Sequence, residues 1–165
     1  MTFIESFLKE LDAESIATRK MLERVPADKF DWKPHEKSMT LRQLSTHVAE
    51  IPGWLESVLH SDGMDFATME YKPVPINTNE ELLKHYEDSL AKGKAALQRA
   101  TEKQLDEIWT MRTADKIHAA EPKRDMARHC FCQEVHHRAQ LGVFLRLLNI
   151  PIPGTYGPSA DDTNF

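Results

Sequence analysis

Hydrophobic positions recur at intervals of three and four along four long stretches of this chain, the spacing that lines one face of an α-helix. In the first stretch Ile4, Phe7, Leu8 and Leu11 open an apolar face, and Thr2 with Glu5 three residues later has capping-box form. Val25-Pro26 ends it after Arg24. Thr40 and Gln43 open a second, with Leu41, Leu44, Val48, Ile51, Leu55 and Val58 turned inward; Pro52 removes a backbone donor and is expected to bend it. Thr78 and Glu81 cap a third, whose seam is Leu82, Tyr86, Leu90, Gly93 and Leu97. Gly93 costs about 1 kcal/mol against alanine in a helix, and its place in the seam permits close approach of a neighbour. The fourth and longest follows Pro122 and is stopped by Asn149, Pro151 and Pro153.

Two segments break the helical period. Residues 60–75 are rich in turn formers, and 108–120 alternate briefly around Thr113-Ala114-Asp115. The latter reads as a short hairpin or extended crossover, and the tail after residue 149 as ordered coil. The expectation is one all-α domain over 1–165, a four-helix bundle with that hairpin or crossover before the last helix.

Composition narrows the function classes. A net charge of −5 lacks the basic surface that nucleic acid requires, and no run of 18 apolar residues offers a membrane span. The amphipathic, acidic N-terminus is unlike a secretory leader. The only cysteines, Cys130 and Cys132, point in widely different directions on a helix, so no intramolecular disulfide is expected. The reading is a reduced, cytoplasmic protein.

Chemistry concentrates on the last helix. Met126, Cys130, Gln133, His137, Leu141, Phe144 and Leu148 share an arc of about 80°, the width of a buried seam. A buried polar group without a partner costs about 1–3 kcal/mol, and one metal ion would satisfy Gln133 and His137 together at their i, i+4 spacing. His47, on the flank of the second helix's apolar face, is the third candidate, since bundles assemble metal sites from inward side chains of facing helices. An amide oxygen is the poor donor of the three and leaves the ion's charge uncompensated. The competing structural reading is a Gln133–His137 hydrogen bond with no ion. A rival set of His129, Cys132 and His136 is poorly placed for one ion, because the two histidines lie about 10 Å apart along the axis; Cys132 with His136 alone stays a minor candidate, against a semi-polar helix face at a subunit or loop contact. Glu134 with His137 has the spacing of a di-iron motif, but a second copy and two further glutamates are missing.

The segment QEVHHRAQLGVFLRL, followed by NIPIPGTYGPSADD, resembles the DinB family of four-helix bundles. So does the earlier run of Thr40, Leu44, His47, Pro52 and Trp54, in the family's T-x-x-x-L-x-x-H-x-x-x-x-P-x-W setting. The resemblance implies a divalent metal ion, zinc or nickel first, iron or manganese next, held by one histidine of the second helix and two of the last. Carried over, these are His47, His137 and the position of Gln133, where this chain departs from the family. Three outcomes follow: glutamine ligates, water replaces it, or the metal is lost. The resemblance further implies a small-molecule substrate, such as a low-molecular-weight thiol, and a thiol S-transferase or hydrolase working through a metal-bound thiolate or hydroxide. Arg138 and Tyr156 would orient an anionic substrate, the competing reading for Arg138 being a structural ion pair with a neighbouring helix or the tail, and the protein would be a homodimer. A non-catalytic binding or stress-response bundle with a degenerate site is the alternative.

Overall fold

The computed structural model describes residues 1–70 and 72–163; the last two residues of the expected coil tail lie outside that range. Five helices and three strands follow in the order α1 (Phe3–Leu22), α2 (Leu41–Glu50), α3 (Trp54–His60), β1 (Gly63–Asp65), α4 (Asn79–Arg99), β2 (Ile108–Thr113), β3 (Lys116–Pro122) and α5 (Lys123–Leu147). The three expected capping boxes close α1, α2 and α4: Thr2, Thr40 and Thr78 each accept from the backbone three residues on, and Glu5, Gln43 and Glu81 reach back.

The second helix is broken rather than bent. Pro52 lies in a 3₁₀ turn, Ile51–Gly53, that separates α2 from α3. The carbonyl of Pro52 is turned toward α4, and a Cβ built on Gly93 would lie 2.2 Å from its oxygen. Gly93 is therefore the residue that lets α4 cross the elbow, since any larger side chain would meet that oxygen.

The all-α expectation is corrected by a three-stranded sheet in the order β1-β2-β3. β2 and β3 pair antiparallel, with an irregularity between Met111 and Arg112, and β1 adds to β2 in parallel. Hairpin geometry follows from local sequence, but β1 is three residues without alternation, paired to a strand far along the chain. Only long-range contact selects it. The sheet closes one end of the bundle. Trp109 of β2 is buried, and its indole donates to Ser57 O and Ser61 Oγ, both at 3.2 Å.

The core divides into two apolar halves. One gathers Leu11, Ile51, Leu55, Leu97, Trp109 and Phe131 beside the sheet; the other gathers Leu22, Leu41, Val48, Tyr86, Leu141 and Leu145. Between them on α1 and α5 lies a buried polar layer of Glu14, Thr18, Glu134 and Arg138. Arg138 Nη1 stands 2.5 Å from Glu14 Oε2 and donates to Thr18 Oγ1 at 3.0 Å. Thr18 in turn donates to Glu134 Oε1 at 2.7 Å. Burial, with the Glu14 charge adding to it, raises the Glu134 carboxyl to about 7, against the pull of Thr18 and Arg138.

Burial also separates the two thiols. Cys130 is buried and Cys132 exposed, and desolvation pushes the Cys130 thiol up to about 12. Iodoacetamide is expected to alkylate Cys132 in the native protein and Cys130 only after denaturation. Peptide mass mapping checks this, and equal labelling rates in the native state would contradict the packing.

Candidate metal centre

The buried face of α5 takes in Met126, Cys130 and Leu141 of the expected seam together with a neighbouring row of Ala127, Phe131, Glu134, Arg138 and Leu145. Gln133 and His137 therefore sit half-buried at the edge of the bundle, facing α2. His47 of α2 meets them there. The rings of His47 and His137 are 4.5 Å apart, nearly perpendicular at 82°, and Gln133 Oε1 lies 3.0 Å from His137 Nε2. The structure thus brings together the three candidates chosen from sequence.

Each histidine is held through its other nitrogen. His47 Nδ1 bonds Glu50 Oε1 at 2.9 Å, and His137 Nδ1 bonds Gln140 Oε1 at 2.9 Å. Carboxylate or carbonyl acceptors on Nδ1 fix the tautomer that leaves Nε2 as a lone pair, the arrangement found behind metal-ligating histidines. Sequence reading missed Glu50 and Gln140, yet a signal was present. Both stand three residues after their histidine, as H-x-x-E and H-x-x-Q. Trp54 adds a wall, its ring 5.2 Å from that of His47.

The polar chain on α5 contains a conflict of lone pairs. Gln133 Nε2 faces His129 Nε2 at 3.2 Å, and Gln140 Nε2 faces His136 Nε2 at 3.1 Å. Both amide oxygens then face His137, which as a neutral ring carries one proton. Burial is the main cause lowering the His137 pKa, the Gln140 hydrogen bond opposes it, and the nearby His47 and His136 lower it further. With Nδ1 donating to Gln140, the Nε2 lone pair of His137 meets the oxygen of Gln133. A cation between them removes the conflict, as does turning the Gln133 amide.

The donor set fits a divalent ion of moderate affinity: two imidazoles and one amide oxygen from facing helices. Among the described residues no group of three or more His, Cys, Asp or Glu is placed to hold a metal. The rival set takes other partners. His129 and His136 are tied to Gln133 and Gln140, and Arg128 Nη1 lies 3.5 Å from Cys132 Sγ. Space flanks the pair: cavities of 390 Å³ beside His137 and 290 Å³ beside His47 share Met39.

Arg138 and Tyr156, expected to orient substrate, are placed elsewhere. Arg138 is 2% exposed and points to α1, away from His47. Its Nη2 donates to Tyr156 Oη at 2.9 Å, and Tyr156 donates to Glu14 Oε1 at 2.6 Å. The two pin the C-terminal tail to the polar layer, which accounts for both side chains structurally.

The chain has relatives of similar sequence and fold. An uncharacterised protein of Bacillus subtilis, YrdA, is 24% identical over 159 residues, 96% of this chain and 91% of that one. A DinB-like protein from Bacillus cereus superposes with a TM-score of 0.70 at 23% identity, over 92% of this chain and 97% of its own. The mycothiol-dependent maleylpyruvate isomerase superposes with a TM-score of 0.59 at 21% identity, over 86% of this chain and 63% of its own. Such distant likenesses establish the shared fold. The DinB family model matches residues 1–164, from the first capping box through the tail that Tyr156 anchors, and the chain belongs to the DinB family.

Proposed function

We propose that His47, Gln133 and His137 hold one divalent metal ion, zinc or nickel first, and that the chain is an enzyme acting on a small molecule. The reaction class we assign is S-transfer with a low-molecular-weight thiol; hydrolysis is the other chemistry such an ion supports. The observation that carries the reading is the close pairing of two histidines from facing helices, their rings 4.5 Å apart, each with its Nδ1 bonded to an acceptor, Glu50 or Gln140. Family membership and a fold shared with a mycothiol-dependent isomerase support the substrate class. When bound, the ion acidifies a thiol or a water and so supplies a nucleophile at neutral pH.

The chain's own residues prepare for this. Glu50 orients His47 and brings the negative charge that two imidazoles and an amide lack. Gln140 orients His137. Trp54 shields one side of His47 from water.

One observation favours a second reading, an ion-free binding bundle: Gln133 Oε1 is within hydrogen-bond distance of His137 Nε2 at 3.0 Å. Elemental mass spectrometry of untagged protein separates the two. Near one equivalent of metal is expected, lost in His137→Ala, held more firmly against chelator in Gln133→His and bound about tenfold more weakly in Glu50→Gln. If the wild-type chain takes up neither zinc nor nickel on incubation, the metalloenzyme reading falls. Thiol-transfer and hydrolysis assays then follow on the loaded protein.

A further inference from the structure

A separate cavity of 250 Å³ lies where α3, the sheet and α5 meet. Its wall is built mainly from Trp54, Met64, Met69, Trp109, Met111 and Met126, and no lysine or arginine lines it. Four of the chain's seven methionines are gathered here. Methionine side chains are flexible and polarisable, and their sulfurs make favourable contacts with aromatic rings. The space exceeds the roughly 150 Å³ that receives a benzene ring in an apolar protein cavity. Phe66 and Met69 are 44% and 40% exposed, so apolar surface reaches solvent at this wall.

The cavity adjoins the candidate centre through three of its lining residues. Glu50 bonds His47 Nδ1 at 2.9 Å, the Trp54 ring stands 5.2 Å from that of His47, and His129 lies 3.2 Å from the Gln133 amide nitrogen. It is thus apolar along its walls and polar where it borders the candidate ligands.

We propose that this cavity binds an uncharged aryl group, the apolar part of the substrate, with the reactive end directed toward His47. The direction rests on the metal-centre reading; occupancy by an aryl group does not. Flat indole walls and thioether sulfurs favour an aromatic ring over an alkyl group of equal size. The absence of a cationic lining residue, with Glu50 at the edge, disfavours an anion.

The methionines supply the assay. Met21 lines the cavity under the C-terminal tail, Met39 lines the two beside the histidines, and Met64, Met69, Met111 and Met126 line this one. Protein labelled with methyl-¹³C methionine is titrated with 2-naphthol and, separately, with decahydro-2-naphthol. The expected result is that 2-naphthol shifts the four cavity methyls and leaves Met1, Met21 and Met39 in place. Its binding is expected to be about fivefold tighter than that of the saturated analogue, the size of an aromatic or sulfur–aromatic contact. Met69→Asp, a change at a partly exposed position, should weaken binding about tenfold by placing a charge in the apolar wall. Shifts confined to Met21 or Met39, equal affinity for the two alcohols, or no shift at about 1 mM probe would overturn the proposal. The same titration on His137→Ala should be unchanged. Failure of the metal centre therefore leaves this result standing, and failure of the cavity leaves the metal content standing.

Discussion

Replacing Arg138 with methionine is expected to destabilise the protein by about 3–5 kcal/mol, the cost of breaking one side of a buried ion pair. Arg138 is 2% exposed and Glu14 4%, so neither charge has water to fall back on. The charge of the guanidinium also favours the ionised form of Glu134, a second buried carboxyl that burial raises to about 7. Methionine fills much of the space but leaves Glu14 to be protonated or exposed. It also removes the donor that Tyr156 Oη accepts from, which loosens the tail from α1. For a chain of this length the loss corresponds to a fall in Tm of about 10 °C. Urea denaturation measures it directly. The double variant Arg138→Met with Glu14→Gln should recover part of the loss, because it removes the stranded charge as well. A single variant within about 1 kcal/mol of wild type would show that the polar layer contributes little net stability.

Gly93→Ala is expected to destabilise by about 2 kcal/mol, although helix propensity alone favours alanine by about 1 kcal/mol. The new methyl carbon would meet the Pro52 oxygen at 2.2 Å, and a backbone oxygen cannot swing aside as a side-chain end can. α4 and the elbow between α2 and α3 must separate. That elbow lies between His47 and Glu50 on one side and Trp54 on the other, so metal affinity should fall with stability. Gly142→Ala is the control. Its added methyl carbon would meet only the flexible end of Met21, Cε at 3.5 Å and Sδ at 3.9 Å, and the change should be neutral or stabilising. Chemical denaturation of the pair decides the matter, and equal effects would remove the close-approach role from Gly93.

The same residues separate what was legible in the sequence from what was not. Helix starts were legible because a capping box is local: Thr2, Thr40 and Thr78 each meet a partner three residues away. The trio of His47, Gln133 and His137 was legible for a related reason. Two of its members are one helical turn apart on one strip of α5, and the third lies on an apolar flank that has to face inward.

The extent of the buried face of α5 was only partly legible: Met126, Cys130 and Leu141 of the expected seam are buried, but burial continues round to Glu134 and Arg138. An apolar seam through Gln133 and His137 and a row through Glu134 and Arg138 differ by one residue, and hydrophobicity alone favours the first. Glu134 and Arg138 are buried because Glu14 and Thr18 of α1 receive them, a pairing across more than 100 residues. For the same reason Arg138 and Tyr156 joined the polar layer rather than the candidate centre. β1 is three residues whose strand character comes from pairing with β2, and the methionine-lined cavity is assembled from four separate segments. Sequence by itself determined the helix starts, their caps and the family, because each is written in residues a few positions apart. The tertiary structure decided how far round α5 the burial extends, where the sheet closes the bundle and which carboxylates share a cation, because those energies depend on partners that the chain brings together only when it folds.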